Sequence, residues 1–489
     1  MTDPERASEP GEAGVPGGGG LARPLPHPPE DVRWIVRTLE ARGYETWAVG
    51  GAVRDALMGM RTPDWDMATR ATPQEVRRIF RRTVPVGIQH GTVGILARDG
   101  TLYEVTTFRR DVETFGRHAV VEFADTVEED LSRRDFTINA LAWHPLREEI
   151  LDPFGGRDDL ARRVLRTVGE PRDRFAEDYL RVLRALRFAG RFDLSVEERT
   201  WSALRDAVAE LHTLSPERIR EELTKVLDKD PRPSGALALF ASSGVLAKVF
   251  PELAGLVELP CPGPGSDEDA WSFAARAADA IPVTRPDVRL AALLMDVGVP
   301  GREAGADEAS GTAPEQEESV PERAARRAAA LLMRLRYSNA RIDRVVGIVR
   351  AGVAPPDADA PDARWRRWLS QVGPERVPDL IRVWGGRCRA HRGGAGGARC
   401  EVVVAAWRRA RGILRSRPPL AVADLALDGR DLIRLGLKPG PDFGRILEWL
   451  LDQVLEEPGI NRGADLEALI VERVRQGWAP PRGGEGGAE

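Results

Sequence analysis

Two glycines wedged between an apolar tetrad and an amphipathic stretch constrain this chain more than any other feature: Thr46-Trp47-Ala48-Val49 runs into Gly50-Gly51, then Ala52-Val53-Arg54-Asp55. A buried strand that turns at once into a helix needs a backbone free of Cβ at the junction. The segment therefore predicts a strand over 46–49 and a helix start over Val53 to Met58. Unpaired amides at such a junction can face an anion, and Arg54 adds a fixed positive charge. Asp64-Trp65-Asp66 follows. If Trp65 lies in a strand, Asp64 and Asp66 project to one face, as ligands of one divalent centre must. Hard oxygen donors suit Mg²⁺, which keeps water and substrate phosphate in its shell.

Each piece alone is weak, since paired glycines usually serve a turn and a lone Asp-x-Asp is more often a solvated loop. A second stretch adds weight: Leu131-Ser132-Arg133-Arg134-Asp135-Phe136-Thr137-Ile138-Asn139-Ala140. By itself it is the beginning of a helix with an Arg-Asp surface pair, which contributes little. Val93 to Arg98, Asp99-Gly100 and Leu102 to Phe108 predict a hairpin, with Asp-Gly at its turn. On its second strand Glu104 is either a third carboxylate beside the aspartates, acting as ligand or base, or a solvent-facing strand residue. The polar run Arg109 to His118 predicts a mobile loop beside the site.

Four stretches in order, Gly-Gly-Ala-Val-Arg-Asp, Asp-Trp-Asp-Met-Ala-Thr, Arg-Arg-Asp-Phe-Thr-Ile-Asn-Ala and Glu177-Asp178-Tyr179-Leu180-Arg181-Val182-Leu183-Arg184-Ala185-Leu186-Arg187-Phe188, resemble the motifs of the class II tRNA nucleotidyltransferase and poly(A) polymerase family. The resemblance implies an α+β fold: a polymerase-beta-like nucleotidyltransferase head of mixed sheet and helices, then an all-α neck, body and tail. It implies template-independent addition of C, C and A to the tRNA 3′ end from CTP and ATP, with pyrophosphate released. Poly(A) addition and CC-only or A-only addition are the alternatives. Carried over residue by residue, Asp64 and Asp66 hold catalytic Mg²⁺, Gly51 and Arg54 contact the triphosphate, and Arg134 binds nucleotide with Asp135 in support. Asp178 and Arg181 read the base, and Arg184 and Arg187 lie near the phosphates. At 3.6 residues per turn, Asp178 and Arg181 would be surface neighbours on one helix, an acceptor beside a donor for the edge of cytosine or adenine. In the family, a loop where Arg109 to His118 stands helps the switch from adding C to adding A.

The domains expected are a disordered Gly/Pro-rich segment at 1–30, a head at 31–155, a neck at 156–255, a body at 256–400 and a tail at 401–480. Helical periodicity marks Phe175 to Phe192, Glu197 to Leu211 and Pro216 to Leu227, with polar linkers near 300–320 and 392–398. Leu420 to Pro441 resembles the family's C-terminal tRNA-contacting region, so the partners implied are ATP, CTP and the tRNA 3′ end with its acceptor and elbow region; no obligate protein partner is inferred. Arg289 to Gly298 resembles the His-Asp core of a metal phosphohydrolase, but Met295 stands where its histidine would, and a thioether is no substitute for imidazole on a hard metal. Asp296 is then a helix-end residue.

No apolar stretch reaches the roughly 18 residues a membrane span needs, and the start lacks an export pattern, so a cytoplasmic location is expected. Cys261, Cys388 and Cys400 are widely spaced, which predicts neither a disulfide framework nor a zinc site. The net charge of −5 does not oppose RNA binding, which needs only a local basic stripe. Between Arg364 and Arg417, arginines 366, 367, 382, 387, 389, 408, 409 and 411 are interleaved with Trp365, Trp368, Trp384 and Trp407. That stretch is either an RNA-contacting surface or a set of solvated helix faces over buried tryptophans.

Overall fold

The tetrad Thr46–Val49 forms strand β1 and is buried along its whole length, as its apolar run requires. The computed structural model describes residues 26–98, 100–115, 118–261, 268–300, 318–352, 354–391 and 395–476. The expected disorder of residues 1–25, the turn residue Asp99 and the linker over 301–317 lie outside the described residues. The chain divides into two compact units, Met1–Arg162 with Arg166–Gly169, and Arg163–Leu165 with Glu170–Glu489, rather than parting between 155 and 156.

In the first unit β1 is joined by β2 (Met67–Thr69), β3 (Thr83–Gly87), β4 (Thr92–Leu96) and β5 (Leu102–Thr107). A hairpin of β6 (Arg109–Phe115) and β7 (His118–Phe123) follows, then β8 (Ala142–His144) and β9 (Glu149–Leu151). Seven of these form one sheet in the order β3-β4-β5-β2-β1-β8-β9. Its pairings are antiparallel except β2 with β5, where Met67 lies opposite Val105. The polar run Arg109 to His118, expected to be a loop, instead pairs with residues up to Phe123 as the antiparallel hairpin β6-β7, with Arg109 opposite Phe123. Its tip, Gly116 and Arg117, lies outside the described residues. The expected β4-β5 hairpin is present with Leu96 opposite Leu102, and Ala97 N–H donates to the Thr101 carbonyl at 2.8 Å beyond the ladder.

Helices start where the sequence supplies caps. Thr72 and Glu75 form a reciprocal box at the start of Pro73–Ile79, and Thr126 and Glu129 do the same for Val127–Ser132. Trp47, Val49 and Ala68 pack with Phe108, Leu131, Ala140, Ala142 and Val168 into one core cluster. That cluster fixes the stretch between residues 131 and 142 against the sheet.

Among the described residues, the second unit is mainly helical, with a short parallel pair, Val164–Leu165 with Ser195–Val196, and an isolated antiparallel bridge between Pro260 and Asp269. The expected continuous helix from Phe175 to Phe192 is two: Pro171–Glu177 ends, Asp178 is extended (φ −157°, ψ 105°), and Leu180–Phe192 begins. Leu180–Phe192 crosses Ser234–Ser242 at Gly190 and Gly235, where a Cβ on Gly190 would lie 2.1 Å from the Ala236 amide nitrogen. Only glycine permits so close a crossing. Near the C-terminal end, Leu427, Leu432, Ile446, Leu450, Val454, Leu466 and Ile470 form a separate small core. Cys388 and Cys400 form a disulfide, contrary to the sequence expectation. Their wide spacing gave no Cys-x-x-Cys signal, but the helices Val377–Ala390 and Ala395–Arg415 hold the two Cα atoms 5.3 Å apart.

Candidate active site

The helix Gly51–Leu57 starts directly after β1, with Gly50 between them at φ +74°, a conformation that favours glycine. The Gly50 amide is already used, donating to the Leu141 carbonyl at 2.9 Å, so of the two glycines only Gly51 stands in the first turn of the helix. A Cβ at Gly50 would collide with Arg134, 2.4 Å from a terminal guanidinium nitrogen. The second requirement for glycine at position 50 is therefore packing: the two motifs touch at this point.

Their contact continues through a buried polar relay. Arg54 donates from Nε at 2.8 Å and Nη2 at 2.6 Å to Asp55 Oδ1, and from Nη1 to Asn139 Oδ1. Asn139 donates in turn to Asp135 Oδ1 at 2.9 Å, which also accepts the Phe136 amide at 2.9 Å. Arg54, Asn139 and Asp135 are all buried, and such a network rigidifies only because its members are satisfied together. The sequence reading sent Arg54 to the triphosphate; the structure turns it inward, because Asp55 and Asn139 offer acceptors at fixed distance. Asp135 has the supporting place expected of it.

Arg134 is held from two sides. Its Nη2 donates to Asp130 Oδ2 at 3.1 Å and its Nη1 to the Asn139 carbonyl at 3.3 Å, while its Nε is buried without a partner. Asp130 is itself 1% exposed and also receives Arg133 at 3.1 Å. Burial opposes the charge on Asp130, but Arg134 and Arg133 outweigh it and hold the carboxyl below its ordinary range. Asp130 and Asn139 were not among the sequence candidates. The i, i+4 spacing of Asp130 and Arg134 was the signal available for the first.

Trp65 is not in a strand, since β2 begins at Met67, yet the alternation extends one step further. Trp65 is buried while Asp64 and Asp66 are exposed, and the Asp66 carbonyl accepts the Val49 amide at 3.0 Å. The two carboxylates thus share one side. Glu104 is exposed on β5 between buried Tyr103 and Val105. Because Met67 lies opposite Val105 in parallel register, Asp66 and Glu104 fall one step earlier on the same face. Desolvation, then Asp64, then Glu104 push the Asp66 carboxyl up to about 6, against the pull of Arg134. Carboxylates gathered so that two of them raise the proton affinity of Asp66 make a site suited to a cation. Among the described residues, no three His, Cys, Asp or Glu side chains gather closely enough to enclose a metal ion. A centre at Asp64 and Asp66 would therefore be open, completing its shell with water and phosphate oxygens, which is the habit of Mg²⁺.

In the second unit the expected Asp178–Arg181 pair is not made. Helical spacing does not apply, because Asp178 sits in the break between helices. Its Oδ1 accepts the Leu180 amide at 3.1 Å and its Oδ2 accepts Arg218 at 2.7 Å, whereas Arg181 donates to Glu177 and to the Arg174 carbonyl at 2.8 Å. Arg218, on the helix Pro216–Lys229, was missed because its partner lies 40 residues away. Arg184 lies 5.3 Å over the Phe188 ring and is partly exposed. Arg187 departs from its expected place near phosphate: it is buried, and its Nε donates to Glu222 Oε2 at 2.7 Å. Asp296 is no simple helix-end residue but takes two hydrogen bonds from Arg387, at 2.7 and 3.1 Å. Met295 lies beside Gly352, with no histidine near it in sequence.

The arginine-rich stretch resolves into two groups. Arg366 donates to the Leu455 and Glu456 carbonyls, Arg367 pairs with Glu456, Arg382 with Asp379 and Arg409 with Asp362, and Arg389 donates to the Ala280 carbonyl. Trp365 and Trp368 are buried. Arg408 and Arg411 stay exposed.

Residues 46–166 match a family model described as the poly A polymerase head domain, and residues 193–256 match one described as a probable RNA and SrmB-binding site of polymerase A. A CCA-adding enzyme of Lactobacillus delbrueckii subsp. bulgaricus is 33% identical over 449 residues, 89% of this chain and 96% of that protein. One from Geobacillus kaustophilus is 42% identical over 261 residues, 52% of this chain, but the match spans less than two thirds, 64%, of that enzyme. Among solved structures, the Bacillus stearothermophilus CCA-adding enzyme in complex with CTP superposes with a TM-score of 0.67 at 30% identity, covering 91% of this chain and 98% of that one.

Proposed function

We infer the activity from one premise, that the chain belongs to the CCA-adding enzyme family. The reading is a nucleotidyltransferase that adds C, C and A to the 3′ end of tRNA from CTP and ATP without a nucleic-acid template, releasing pyrophosphate. The observation that carries it is the docking of the Arg134 motif on the glycine motif beside the paired carboxylates, since that arrangement unites an anion-binding turn with an open metal site. The relative solved with CTP supports the nucleotide class.

Asp64 and Asp66 would hold Mg²⁺, which when bound favours ionisation of the RNA 3′-hydroxyl and neutralises charge on the departing pyrophosphate. Glu104, one register step away, adds negative charge to the same face and can accept a proton from the attacking hydroxyl. Arg134, gripped by Asp130 and the Asn139 carbonyl, presents its remaining edge to the nucleotide, and Gly51 lets the backbone come close to phosphate. Arg54 acts by positioning: it ties Asn139 to the start of the helix and keeps both motifs in register.

Base choice falls to the second unit. Asp178, fixed by Arg218 and the Leu180 amide, is an acceptor of set orientation, and Arg181 is a donor steadied by Glu177. A partly exposed Arg184 is available to phosphate. A cytoplasmic location belongs to the same reading, since nucleoside triphosphates and tRNA are its substrates. Among the described residues no helix is long and apolar enough to cross a membrane. The test is to incubate the purified chain with tRNA lacking CCA and with CTP, ATP or both, then sequence the 3′ ends. CCA with both nucleotides and CC with CTP alone is the result expected. Oligo(A) tails, or termination after one nucleotide class whatever is supplied, would overturn it.

A further inference from the structure

The helix Ala395–Arg415 is held at its two ends by different means. From Ala406 onward noncovalent packing suffices: Ala406, Ala410 and Ile413 are buried, and Arg409 pairs with Asp362 Oδ1 at 2.5 Å. Ahead of Ala406 nothing comparable stands among the described residues. Glu401, Val402 and Val404 are exposed, Val403 and Ala405 are half-buried, and no side chain from 401 to 405 makes a hydrogen bond or ion pair with another described residue. The sequence leading in, Gly393-Gly394-Ala395-Gly396-Gly397-Ala398-Arg399, carries four glycines, two of them in the first turn of the helix. Glycine disfavours a helix more than any residue but proline, and short helical segments persist mainly through the packing of one face. This end has neither propensity nor a buried face. What ties it down is the disulfide from Cys400 to Cys388.

The other end of that link is firm. Cys388 lies on Val377–Ala390, which Arg387 fastens to Asp296 by two hydrogen bonds. At Gly386 the same helix passes so close to Ala270–Asp279 that a Cβ would lie 2.6 Å from the Ala277 carbonyl oxygen. The two sulfurs differ in access: Cys388 is 5% exposed, whereas Cys400 is half-buried and the one a reagent can reach. Cys388 Sγ also has an acceptor in place for a thiol proton, the Gly385 carbonyl at 3.3 Å. The third cysteine, Cys261, is buried against Phe273, Ala277 and Ala390 and bonded to neither. We propose that Cys388–Cys400 is a reversible redox clasp: closed, it holds the first three turns of Ala395–Arg415 against Val377–Ala390, and opened by a dithiol reductant, it lets them fray. One thiolate of the reductant attacks Cys400 Sγ, the sulfur–sulfur bond breaks, and Cys388 leaves with the electron pair and takes up a proton. The reductant's second thiol then displaces Cys400 from the mixed disulfide, so the protein gains two thiols and the reductant becomes a disulfide. The proposal rests on the cytoplasmic reading above, since thiols abound there and a disulfide in that compartment is commonly a sensor. The helix is also the covalent path to the small core from Leu427 to Ile470, so its loosening slows nucleotide addition when tRNA is limiting.

The test takes the full chain purified without reductant, then treated with dithiothreitol, then reoxidised. Peptide mapping before reduction finds Cys388 joined to Cys400 and Cys261 as the free thiol; on reduction an alkylating reagent labels Cys400 ahead of Cys388. Hydrogen exchange over residues 400–405 speeds up at least about tenfold on reduction, while residues 377–390 change by less than about threefold, and reoxidation restores the first rate. The initial rate of nucleotide addition at limiting tRNA falls at least about threefold with the clasp open. Cys400→Ser shows the exchange and the rate of the reduced form and no longer responds to dithiothreitol, which separates the clasp from any other effect of the reagent. Cys388→Ser does the same from the buried side. A chain purified with both thiols free, exchange over 400–405 indifferent to reduction, or an addition rate equal in the two forms overturns the proposal. If exchange responds reversibly but no nucleotide is added in either form, the proposed activity fails and the clasp stands. If CCA is added while exchange and rate ignore the redox state, the clasp fails and the activity stands.

Discussion

Replacing Arg187 by Met separates two accounts of one arginine, a phosphate ligand and a structural cation. Glu222 is 1% exposed and receives Arg187 Nε at 2.7 Å; its other oxygen takes Lys225 at 2.8 Å. Burial opposes the charge on Glu222, but Arg187 and Lys225 outweigh it and hold the carboxyl below its ordinary range. Removing one partner of a buried pair costs about 3 to 5 kcal/mol, because the other charge stays behind unpaired. Lys225 remains, and its side chain is 44% exposed, so the lower end, about 3 kcal/mol, is expected for Arg187→Met. That is roughly a hundredfold in the local opening equilibrium, read by hydrogen exchange over residues 180–192 and 216–229. The pH dependence has a definite sign. A carboxyl with a depressed folded pKa contributes stability above its unfolded value, and that contribution disappears as pH falls through the folded value. In Arg187→Met the main depressing influence is gone, so the deficit against wild type is full at neutral pH and shrinks as acid protonates Glu222. The double variant Arg187→Met/Glu222→Met should recover most of the stability, since a packed apolar pair often equals a buried ion pair. If the double variant is stable and KM for CTP and ATP stays within threefold of wild type, the structural role holds. A stable double variant with KM raised tenfold or more would refute it and return Arg187 to the phosphates.

Three further outcomes follow from the site. Asp64→Asn and Asp66→Asn should each abolish nucleotide addition in extension assays while tRNA affinity stays within about threefold; turnover near wild type in either would show that these carboxylates do not hold the metal. Asp178→Ala should relax discrimination against UTP and GTP in competition assays more than it slows addition of a forced substrate, and Arg218→Ala should reproduce the effect in weaker form, because Arg218 sets the Asp178 carboxylate. Asp296→Ala should destabilise the chain by about 3 kcal/mol in urea unfolding by stranding Arg387. Neither it nor wild type should release phosphate with nickel or manganese, and Asp296-dependent phosphatase activity would reveal a second active site.

The elements legible in the sequence were those fixed by neighbours. β1 is set by its apolar run, the following helix by the two glycines, and the β4-β5 pairing by alternation around a turn. What was illegible depends on partners distant along the chain. Polar residues from Arg109 onward look like a loop until residues 118–123 return to pair with them. Arg387 looks available for RNA until Asp296, 91 residues earlier, is found against it. Period-three spacing of acids and arginines at Asp178, Arg181, Arg184 and Arg187 is helical, so it hid the break at Asp178 that lets the carboxylate face Arg218. At the site, the residue types pointed to the carboxylates, but the inward turn of Arg54 follows from Asn139, whose amide gives no sign in sequence of which way it faces.

The chain passes between its two units three times, after Arg162, after Leu165 and after Gly169. Residues 166–169 return to the first unit, where Val168 belongs to the core and Thr167 bridges Phe136 within the Arg134 motif. Exchange of heads between relatives therefore has a preferred seam. A crossover placed at residue 162 gives one parent's head the other parent's Thr167 and Val168, so mismatch there would disturb the packing behind the nucleotide motif. A crossover after Gly169 moves the head with all of its own core, at the expense of importing the strand Val164–Leu165 into a foreign helical unit. Recombination across this boundary is asymmetric, and chimeras joined after Gly169 should keep an intact catalytic face more often than those joined seven residues earlier.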